Sequence, residues 1–469
     1  MSFILYDLIL LVVFVLAVAL FLYKNKKNLK REGLLFLYKA DWGIKLINKV
    51  GNKYKKTLKA LSYVSVFLGY ILMIAMLWLF YTIVKIYLLR PDVVSQIKVP
   101  PIMPLIPYID KVVPFLPPFY FIYWILILAV IAITHEFAHG IFAAYNKVGI
   151  KTTGFGFFPF FLPVFLAAFV ELDEKKMPKK SNFAQRAVLS AGTFANVLTA
   201  ILFFIVIAVF FLLAFHPAGV VFNDYSYSIV GLSSISYVNG VAVNNLTYDK
   251  FSELTNGSRI NNISTGDGKY IGIKGLVNEK QIALYENAPA IRNQLNGAII
   301  EINDIKVKSV ESLSQELAKY SIGDEITVKT KTSNKTKTYN IILEENPYKE
   351  GKAWLGIGIA DKRSGGLMNS IIMAISSFRD SNIYYESGIG EAGLFIYNLL
   401  WWLILISVSV ALVNMLPMGI FDGGRFFYLT ILAITGKESW AKNSFKWMTY
   451  FLLLVLLALM VFWGLAFIR

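Results

Sequence analysis

Six long apolar segments divide the sequence, and each is close to or above the roughly 20 residues that cross a bilayer as a helix. They lie at about residues 3–23, 62–89, 119–145, 187–215, 394–418 and 447–468. Residues 101–118 are also apolar, but they contain six prolines, each of which removes a backbone donor and opposes a helix. The pattern predicts a multi-pass α-helical membrane protein of about six transmembrane helices, with a proline-rich connection after the second.

Composition agrees with a membrane protein, since 56% of the 469 residues are hydrophobic and only 16% are charged. The first apolar segment is expected to be a retained helix, because Asp7 precedes its long core and no small-residue cleavage site follows it. The chain has no cysteine, which excludes disulfides, thiolate nucleophiles and cysteine-ligated zinc.

Basic residues concentrate in alternate connections between the apolar segments. Residues 24–60 hold 12 basic and 2 acidic residues, residues 146–186 hold 7 and 3, and residues 425–446 hold 4 and 1. Because loops rich in Lys and Arg stay on the cytoplasmic side, these three are predicted to be cytoplasmic loops of a cell-membrane protein. Residues 216–362 hold 16 charges of each sign and are predicted to be extracytoplasmic. The net charge of +16 therefore belongs to the loops, and no nucleic-acid partner is expected.

The polar stretch 216–362 contains an internal repeat. ISYVNGVAV at 235–243 and IIEINDIKV at 299–307 each predict two short strands joined by an Asn-Gly or Asn-Asp turn. A short amphipathic segment follows each copy, so that two small α+β domains are predicted. This order of elements resembles PDZ domains, most clearly in the second copy. The resemblance implies an exposed groove that binds peptide segments as an added strand.

Polar residues interrupt the third apolar segment, in ITHEFAHG at 133–140. On a helix His135 and His139 lie one turn apart on one face, and Glu136 lies on the adjacent side. This spacing is typical of zinc peptidases, in which the two imidazoles bind the metal and the glutamate is the general base. A carboxylate at membrane depth costs roughly 2.5–3.5 kcal/mol and is expected only where it has a partner. A metal site is therefore predicted here.

Two histidines leave a catalytic zinc one protein ligand short. Asp422 is one candidate, since it follows an uncharged stretch from 392 to 421 and lies within NMLPMGIFDGGR at 414–425. The charge-derived topology brings it to the same cytoplasmic-side depth as the two histidines, which makes it the preferred ligand. The other candidates are the lysine-flanked acids Glu171, Asp173 and Glu174.

The two motifs together resemble the site-2 protease family of intramembrane zinc metalloproteases (peptidase family M50). His-Glu-Phe-Ala-His at 135–139 and Asn-x-x-Pro-x-x-x-x-Asp-Gly-Gly at 414–424 each lie in a predicted span, with the PDZ-like domains between them. The likeness covers residue 119 to the C-terminus. It implies one Zn²⁺ per chain held by His135, His139 and Asp422, with Glu136 activating a water held by the metal.

Two further stretches resemble the same family. AGTFANVLTA at 191–200 matches its Gly-Pro-x-x-Asn segment, with Thr193 in place of proline, which implies that Asn196 holds the substrate backbone or stabilises the oxyanion. The other interpretation of Asn196 is an interhelical hydrogen bond. Asn414 of the second motif is a catalytic candidate in the same sense. GFGFFPFFLPVFLAAFVELDE at 154–174 resembles the membrane-embedded hairpin that offers an edge strand to the substrate.

Four regions are expected from these observations. Residues 1–118 form an N-terminal membrane region, 119–215 the first half of a protease core, 216–362 the PDZ-like pair and 363–469 the second half of the core. The predicted partners are transmembrane protein substrates, peptide segments and the lipid bilayer. The alternative function is a metal-ion-binding transporter or receptor that uses the same histidines and aspartate. No second set of acids is visible in the other spans, so proteolysis is preferred.

Overall fold

The computed structural model describes residues 3–32, 35–90, 94, 100–101, 103, 105–113, 116–157, 166–173, 175–244, 246–255, 260–266, 268–278, 280–332, 335–359 and 378–465. The chain consists of two compact units. Met1–Val209 and Phe395–Arg469 form the first unit, and Phe210–Leu394 form the second.

Eleven α-helices lie within the described residues, and six of them are long and apolar enough to cross a membrane, which fits the predicted multi-pass architecture. These six are Phe3–Lys24, Lys55–Leu89, Phe121–Tyr145, Asn182–Ala214, Glu391–Asn414 and Glu438–Leu465. The helices are α1 (Phe3–Lys24), α2 (Ile44–Lys53), α3 (Lys55–Leu89), α4 (Phe121–Tyr145), α5 (Asn182–Ala214), α6 (Tyr248–Thr255), α7 (Pro289–Arg292), α8 (Val310–Leu317), α9 (Glu391–Asn414), α10 (Asp422–Thr435) and α11 (Glu438–Leu465).

The strands are mostly short. They are β1 (Leu29–Glu32), β2 (Leu35–Ala40), β3 (Ile150–Phe157), β4 (Leu166–Leu172), β5 (Phe215–Val220), β6 (Asp224–Tyr225), β7 (Tyr227–Gly231), β8 (Ile235–Val238), β9 (Val241–Ala242), β10 (Ile260–Thr265), β11 (Lys269–Asn278), β12 (Gln281–Glu286), β13 (Ala298–Ile302), β14 (Ile305–Lys306), β15 (Glu325–Thr332), β16 (Lys335–Ile342), β17 (Glu344–Asn346), β18 (Lys349–Trp354), β19 (Ile357–Gly358) and β20 (Ile383–Ser387).

A four-stranded antiparallel sheet in the first unit has the order β1-β2-β3-β4. Strands β3 and β4 are the two arms of the hairpin predicted at 154–174, and residues 158–165 between them lie outside the described part of the chain. Strand β2, from the basic stretch 24–60, pairs with β3, with Tyr38 opposite Phe155. This pairing was not predicted, because the basic charge of residues 24–60 led to their prediction as a cytoplasmic loop. Strand β4 is left at one edge of the sheet.

The N-terminal end of α4 is capped by a residue from α1. The residue that precedes α4, Tyr120, makes no side-chain cap, so that the first N–H groups of the helix need another acceptor. Asp7, only 3% exposed, accepts hydrogen bonds from the backbone N–H groups of Phe121 (2.6 Å) and Ile122 (3.0 Å) and from the hydroxyl of Tyr108 (2.7 Å). The carboxylate also lies at the positive end of the helix dipole. Helix α1 is therefore joined to α4 by a buried polar contact.

The other end of α4 packs closely against α2. A Cβ on Gly51 of α2 would lie 2.7 Å from the Cβ of Ala144, and a Cβ on Gly140 of α4 would lie 3.0 Å from Ile47. Both glycines thus allow the two helices to approach each other. Since Ile47 and Gly51 are buried, the apolar face of α2 is the face that contacts α4.

Helix α3 packs on α5 and α10. The hydroxyls of Ser65 and Ser190 are 2.7 Å apart, and a Cβ on Gly69 would contact both Ser190 and the ring of Phe426. Small residues at a crossing let membrane helices approach closely and form van der Waals contacts. Helix α3 is therefore part of the first unit's helical core, although it precedes the stretch that carries the two motifs.

The second unit contains the predicted repeat. Both hairpins have two central residues with positive φ, Asn239 (51°) with Gly240 (85°) and Asn303 (45°) with Asp304 (65°), as type I′ turns require. Helices α6 and α8 follow them. The two main sheets have the orders β7-β12-β11-β10-β8-β9 and β16-β15-β13-β5-β20. The second unit extends in sequence beyond the range 216–362 expected from charge, because β20 pairs with β5.

We expect Asp7→Ala to lower the unfolding free energy by roughly 2–4 kcal/mol, because it leaves one buried and one half-buried helix N–H group without an acceptor. The measurement is the apparent thermal unfolding midpoint in detergent. Asp7→Asn, which keeps one acceptor oxygen, should lose less. Val13→Ala, on an exposed position of α1, is the control. Equal midpoints for Asp7→Ala and Val13→Ala would contradict the capping role.

Candidate metal centre

Three side chains from two helices converge in the first unit. His135 and His139 lie one turn apart on α4, each 8% exposed, and Asp422 is the first residue of α10. The Nε2 atoms of the histidines are 3.0 Å apart, and Oδ2 of Asp422 lies 3.4 Å from Nε2 of His135 and 3.2 Å from Nε2 of His139. These are the only three His, Asp or Glu side chains among the described residues that form such a group.

The three donor atoms fit one face of a zinc tetrahedron. With zinc–ligand distances of about 2.0–2.1 Å, two ligand atoms of a tetrahedral site are about 3.3 Å apart. The observed separations of 3.0, 3.2 and 3.4 Å are close to that value. Two imidazoles and one carboxylate are also a donor set that zinc binds in hydrolytic enzymes. Within the described residues, the arrangement thus offers three donor atoms to a metal ion.

Gly192 of α5 gives the two histidines their space. A Cβ at this position would lie 2.4 Å from Nε2 of His139 and 2.5 Å from Nε2 of His135. Any other residue would therefore place a carbon atom against the nitrogens that face each other. The absence of a side chain at Gly192 keeps open the space that a metal ion would need.

The second nitrogen of each imidazole contacts α5. Nδ1 of His139 lies 2.7 Å from the carbonyl oxygen of Val188, and Nδ1 of His135 lies 3.0 Å from the side-chain nitrogen of Asn196. Asn196 is fully buried, and its side-chain oxygen has no hydrogen-bond partner among the described residues. The predicted amide is therefore beside the site, in contact with a histidine.

Glu136 is held next to the cluster by the sheet. Its Oε2 atom accepts a hydrogen bond of 2.9 Å from the backbone N–H of Val170 in β4. Val170 pairs with Thr153 of β3 on its other side, and β4 is the edge strand, so this N–H points out of the sheet. The predicted general base and the free edge of β4 are therefore adjacent.

The alternative ligand candidates have other partners. Glu171 forms ion pairs with Lys39 and Lys151 and accepts a hydrogen bond of 2.9 Å from Thr152, and the hydrogen bond from Lys39 lowers the pKa of Glu171 to about 2. Asp173 accepts hydrogen bonds from the backbone N–H groups of two lysines, and Glu174 lies outside the described residues. Neither Glu171 nor Asp173 belongs to the metal-type group.

The second motif forms a tight turn before Asp422. Helix α9 ends at Asn414, four residues before the predicted end of the fifth span, and α10 begins at Asp422 instead of continuing that span. A Cβ on Gly423 would lie 2.4 Å from the carbonyl of Met415, and one on Gly424 would lie 2.2 Å from that of Met418. Both glycines are needed for this approach. The half-buried side chain of Asn414 makes no hydrogen bond to another described residue. It therefore has no hydrogen bond to His135, His139 or Asp422.

The model of peptidase family M50 matches residues 123–459, which is most of the chain and includes all three converging side chains. The chain belongs to peptidase family M50. The match leaves out α1, α2 and α3.

One curated relative of this M50 chain is the zinc metalloprotease RasP of Geobacillus kaustophilus, which is 36% identical over 77 residues. The aligned region spans 16% of this chain and 18% of that protein. Among solved structures, the crystal structure of the PDZ domain of an SdrC-like protein from Listeria monocytogenes is 20% identical, with a TM-score of 0.14. The match covers 20% of this chain and 88% of the other.

Three contributors to the site were not predicted. Val170 and Val188 act through backbone atoms, which leave no signal in the residue type. Gly192 is different, because it lies four residues after Val188 and four before Asn196, on one stripe of α5. The four-residue spacing between Gly192 and Asn196 can be read from the sequence, and it indicates that both residues face the same site.

We expect Gly192→Ala to lose most of its bound zinc, because the added methyl group occupies the space between the two Nε2 atoms. Zinc per chain is measured by elemental analysis of the purified protein. Gly464→Ala, where a Cβ meets no atom within 4 Å, is the control. One zinc per chain in Gly192→Ala, held as tightly as in the wild type, would refute this role of the glycine.

Proposed function

We propose that this M50 chain is an intramembrane zinc metalloendopeptidase that cuts transmembrane segments of membrane proteins. The observation that carries the proposal is the triangle of donor atoms from His135, His139 and Asp422, with Glu136 held beside it by β4. Family membership and the six apolar helices support the same conclusion.

His135, His139 and Asp422 would hold one Zn²⁺ per chain. When bound, zinc polarises a carbonyl and lowers the pKa of a water to near 7. The residues of the chain supply the rest. The buried imidazoles and the half-buried carboxylate would fix the ligand geometry, and α4 and α5 would exclude bulk water from the histidines.

Glu136 is the proposed general base. It would take a proton from the attacking water and pass it to the leaving amine, a role that contributes about 10²–10⁴ in rate. The hydrogen bond from Val170 orients the carboxylate, because the backbone of a paired strand moves little compared with a free side chain. Asn414 remains a catalytic candidate on the motif alone.

The edge of β4 is the proposed binding place for the substrate. A transmembrane helix hides its carbonyls in backbone hydrogen bonds, and so the scissile segment must unwind before water attacks it. An unwound segment can satisfy its backbone groups by pairing with an exposed strand. Pairing along β4 would place the substrate backbone next to Glu136, since the N–H of Val170 lies on that edge.

Residues 216–362 are proposed to lie outside the cell membrane as two PDZ-like modules. The balanced charge of this stretch and the basic loops elsewhere support that orientation. A cavity of about 460 Å³ lies between Ser314 and Leu317 of α8 and the segment around Trp354 and Leu355. This cavity is large enough to hold a side chain of a bound peptide, as expected for a module that binds the external part of a substrate.

We expect Glu136→Gln to lower cleavage of a model transmembrane substrate by about 10²-fold or more while it retains one zinc per chain. The assay uses the purified full chain in detergent, with zinc and with a chelator, and follows the cleavage products by mass spectrometry. Cleavage that survives both the chelator and Glu136→Gln would refute the mechanism. Zinc flux into proteoliposomes without any cleavage would favour the transporter.

We expect Asp422→Ala to reduce bound zinc well below one ion per chain, since it removes one of three ligands. Asp173→Ala is the matched control, because Asp173 bonds to the backbone of its own loop and should leave the zinc content unchanged. Zinc content is measured by elemental analysis after dialysis. If Asp422→Ala still bound one zinc per chain, Asp422 would not be the third ligand, and one of the acids at 171–174 would be the candidate instead.

A further inference from the structure

The two histidines of the site contact α5 through different kinds of partner. Nδ1 of His139 lies 2.7 Å from the carbonyl oxygen of Val188, and a carbonyl can only accept a hydrogen bond. Nδ1 of His139 therefore carries a hydrogen. In the neutral ring this leaves the lone pair on Nε2, which is the nitrogen that faces His135 and Asp422.

The Nδ1 atom of His135 faces a side-chain amide, whereas that of His139 faces a backbone carbonyl. Nδ1 of His135 lies 3.0 Å from an amide atom of Asn196, assigned as the nitrogen. An amide nitrogen can only donate, so with this assignment Nδ1 of His135 accepts and Nε2 carries the hydrogen. That tautomer directs an N–H at the atoms of His139 and Asp422, where a metal ligand needs a lone pair.

The amide of Asn196 has two orientations that fill nearly the same space. In the assigned orientation the side-chain oxygen is buried and has no hydrogen-bond partner among the described residues. In the reversed orientation the nitrogen takes that position. Among the described residues, either orientation leaves one amide atom without a partner. The choice between them therefore depends on whether Nδ1 of His135 has to donate or accept a hydrogen bond.

Histidines that bind a metal donate their other N–H to an acceptor, which fixes the tautomer and the orientation of the ring. We infer that Asn196 is a positioning residue, which presents its side-chain oxygen to the Nδ1–H of His135 and so keeps the Nε2 lone pair available to zinc. This inference rests on the proposed function. It gives Asn196 a part in metal binding, in addition to the substrate contact expected from the sequence.

The arrangement on α5 supports this role. Val188, Gly192 and Asn196 are spaced four residues apart, so they form one stripe along the helix. Val188 contacts His139, Asn196 contacts His135, and Gly192 lies between them with no side chain. Asn196 is thus the side-chain counterpart of the Val188 carbonyl, and both serve as acceptors for a ligand histidine.

The test is the zinc dissociation constant of the full chain in detergent, measured by competition with a chelator. Asn196→Leu, which removes the acceptor at similar volume, should weaken zinc binding by about 10–100-fold. Asn196→Asp retains an oxygen at this place and no donor, and it should bind zinc at least as tightly as the wild type. Thr199→Val, one turn further on α5, is the control and should leave the affinity unchanged.

The cobalt-substituted protein gives a second readout that general destabilisation would not change. Asn196→Leu should alter the d–d absorption bands that report the ligand set, and Asn196→Asp should retain them. Wild-type affinity in Asn196→Leu, or an equal loss in the Leu and Asp variants, would overturn the inference. Failure of the wild type to bind zinc would instead overturn the proposed function, so that the two failures are distinguishable.

Discussion

The first unit depends on one constraint, the need of a buried polar cluster for partners inside the protein. Ionisable and polar groups within an apolar bundle are costly unless each finds a donor or an acceptor. Helix α5 meets this need for the two histidines with the carbonyl of Val188 and the amide of Asn196, which lie on one stripe with Gly192 between them. The imidazoles therefore contact α5 at two points of the α4–α5 crossing, in addition to apolar packing.

The position of α4 is in turn determined by residues that precede the segment matched by the M50 family. Asp7 accepts hydrogen bonds from the first N–H groups of α4, and Gly51 of α2 lets that helix contact α4 near its other end. Strand β2 adds to the sheet whose opposite edge, β4, holds Glu136. The N-terminal region thus contacts both the helix and the sheet that carry the candidate site, and it is more than a membrane anchor.

Local signals in the sequence were sufficient for much of this architecture. The spans follow from hydropathy and the two hairpins of the second unit from the Asn-Gly and Asn-Asp turns. The cluster follows from two histidines and an aspartate that the charge pattern predicts at one depth. The pairing of β2 with β3 and the start of a separate helix at Asp422 were not predicted. Both depend on contacts between distant segments, and the second also on the room that Gly423 and Gly424 leave for a tight turn.

The partners around the cluster explain why its sequence signature is so short. Glu136 is oriented by the N–H of Val170 and His139 faces the carbonyl of Val188, and every residue type except proline supplies both backbone groups. The contact of Asn196 with His135 differs, because it comes from a side chain, and Gly192 contributes by having none. A site built in this way constrains few residue types outside its ligands. Its geometry is instead fixed by the helix and strand backbones, so a change that shifts α5 or β4 affects the site even where no ligand is altered.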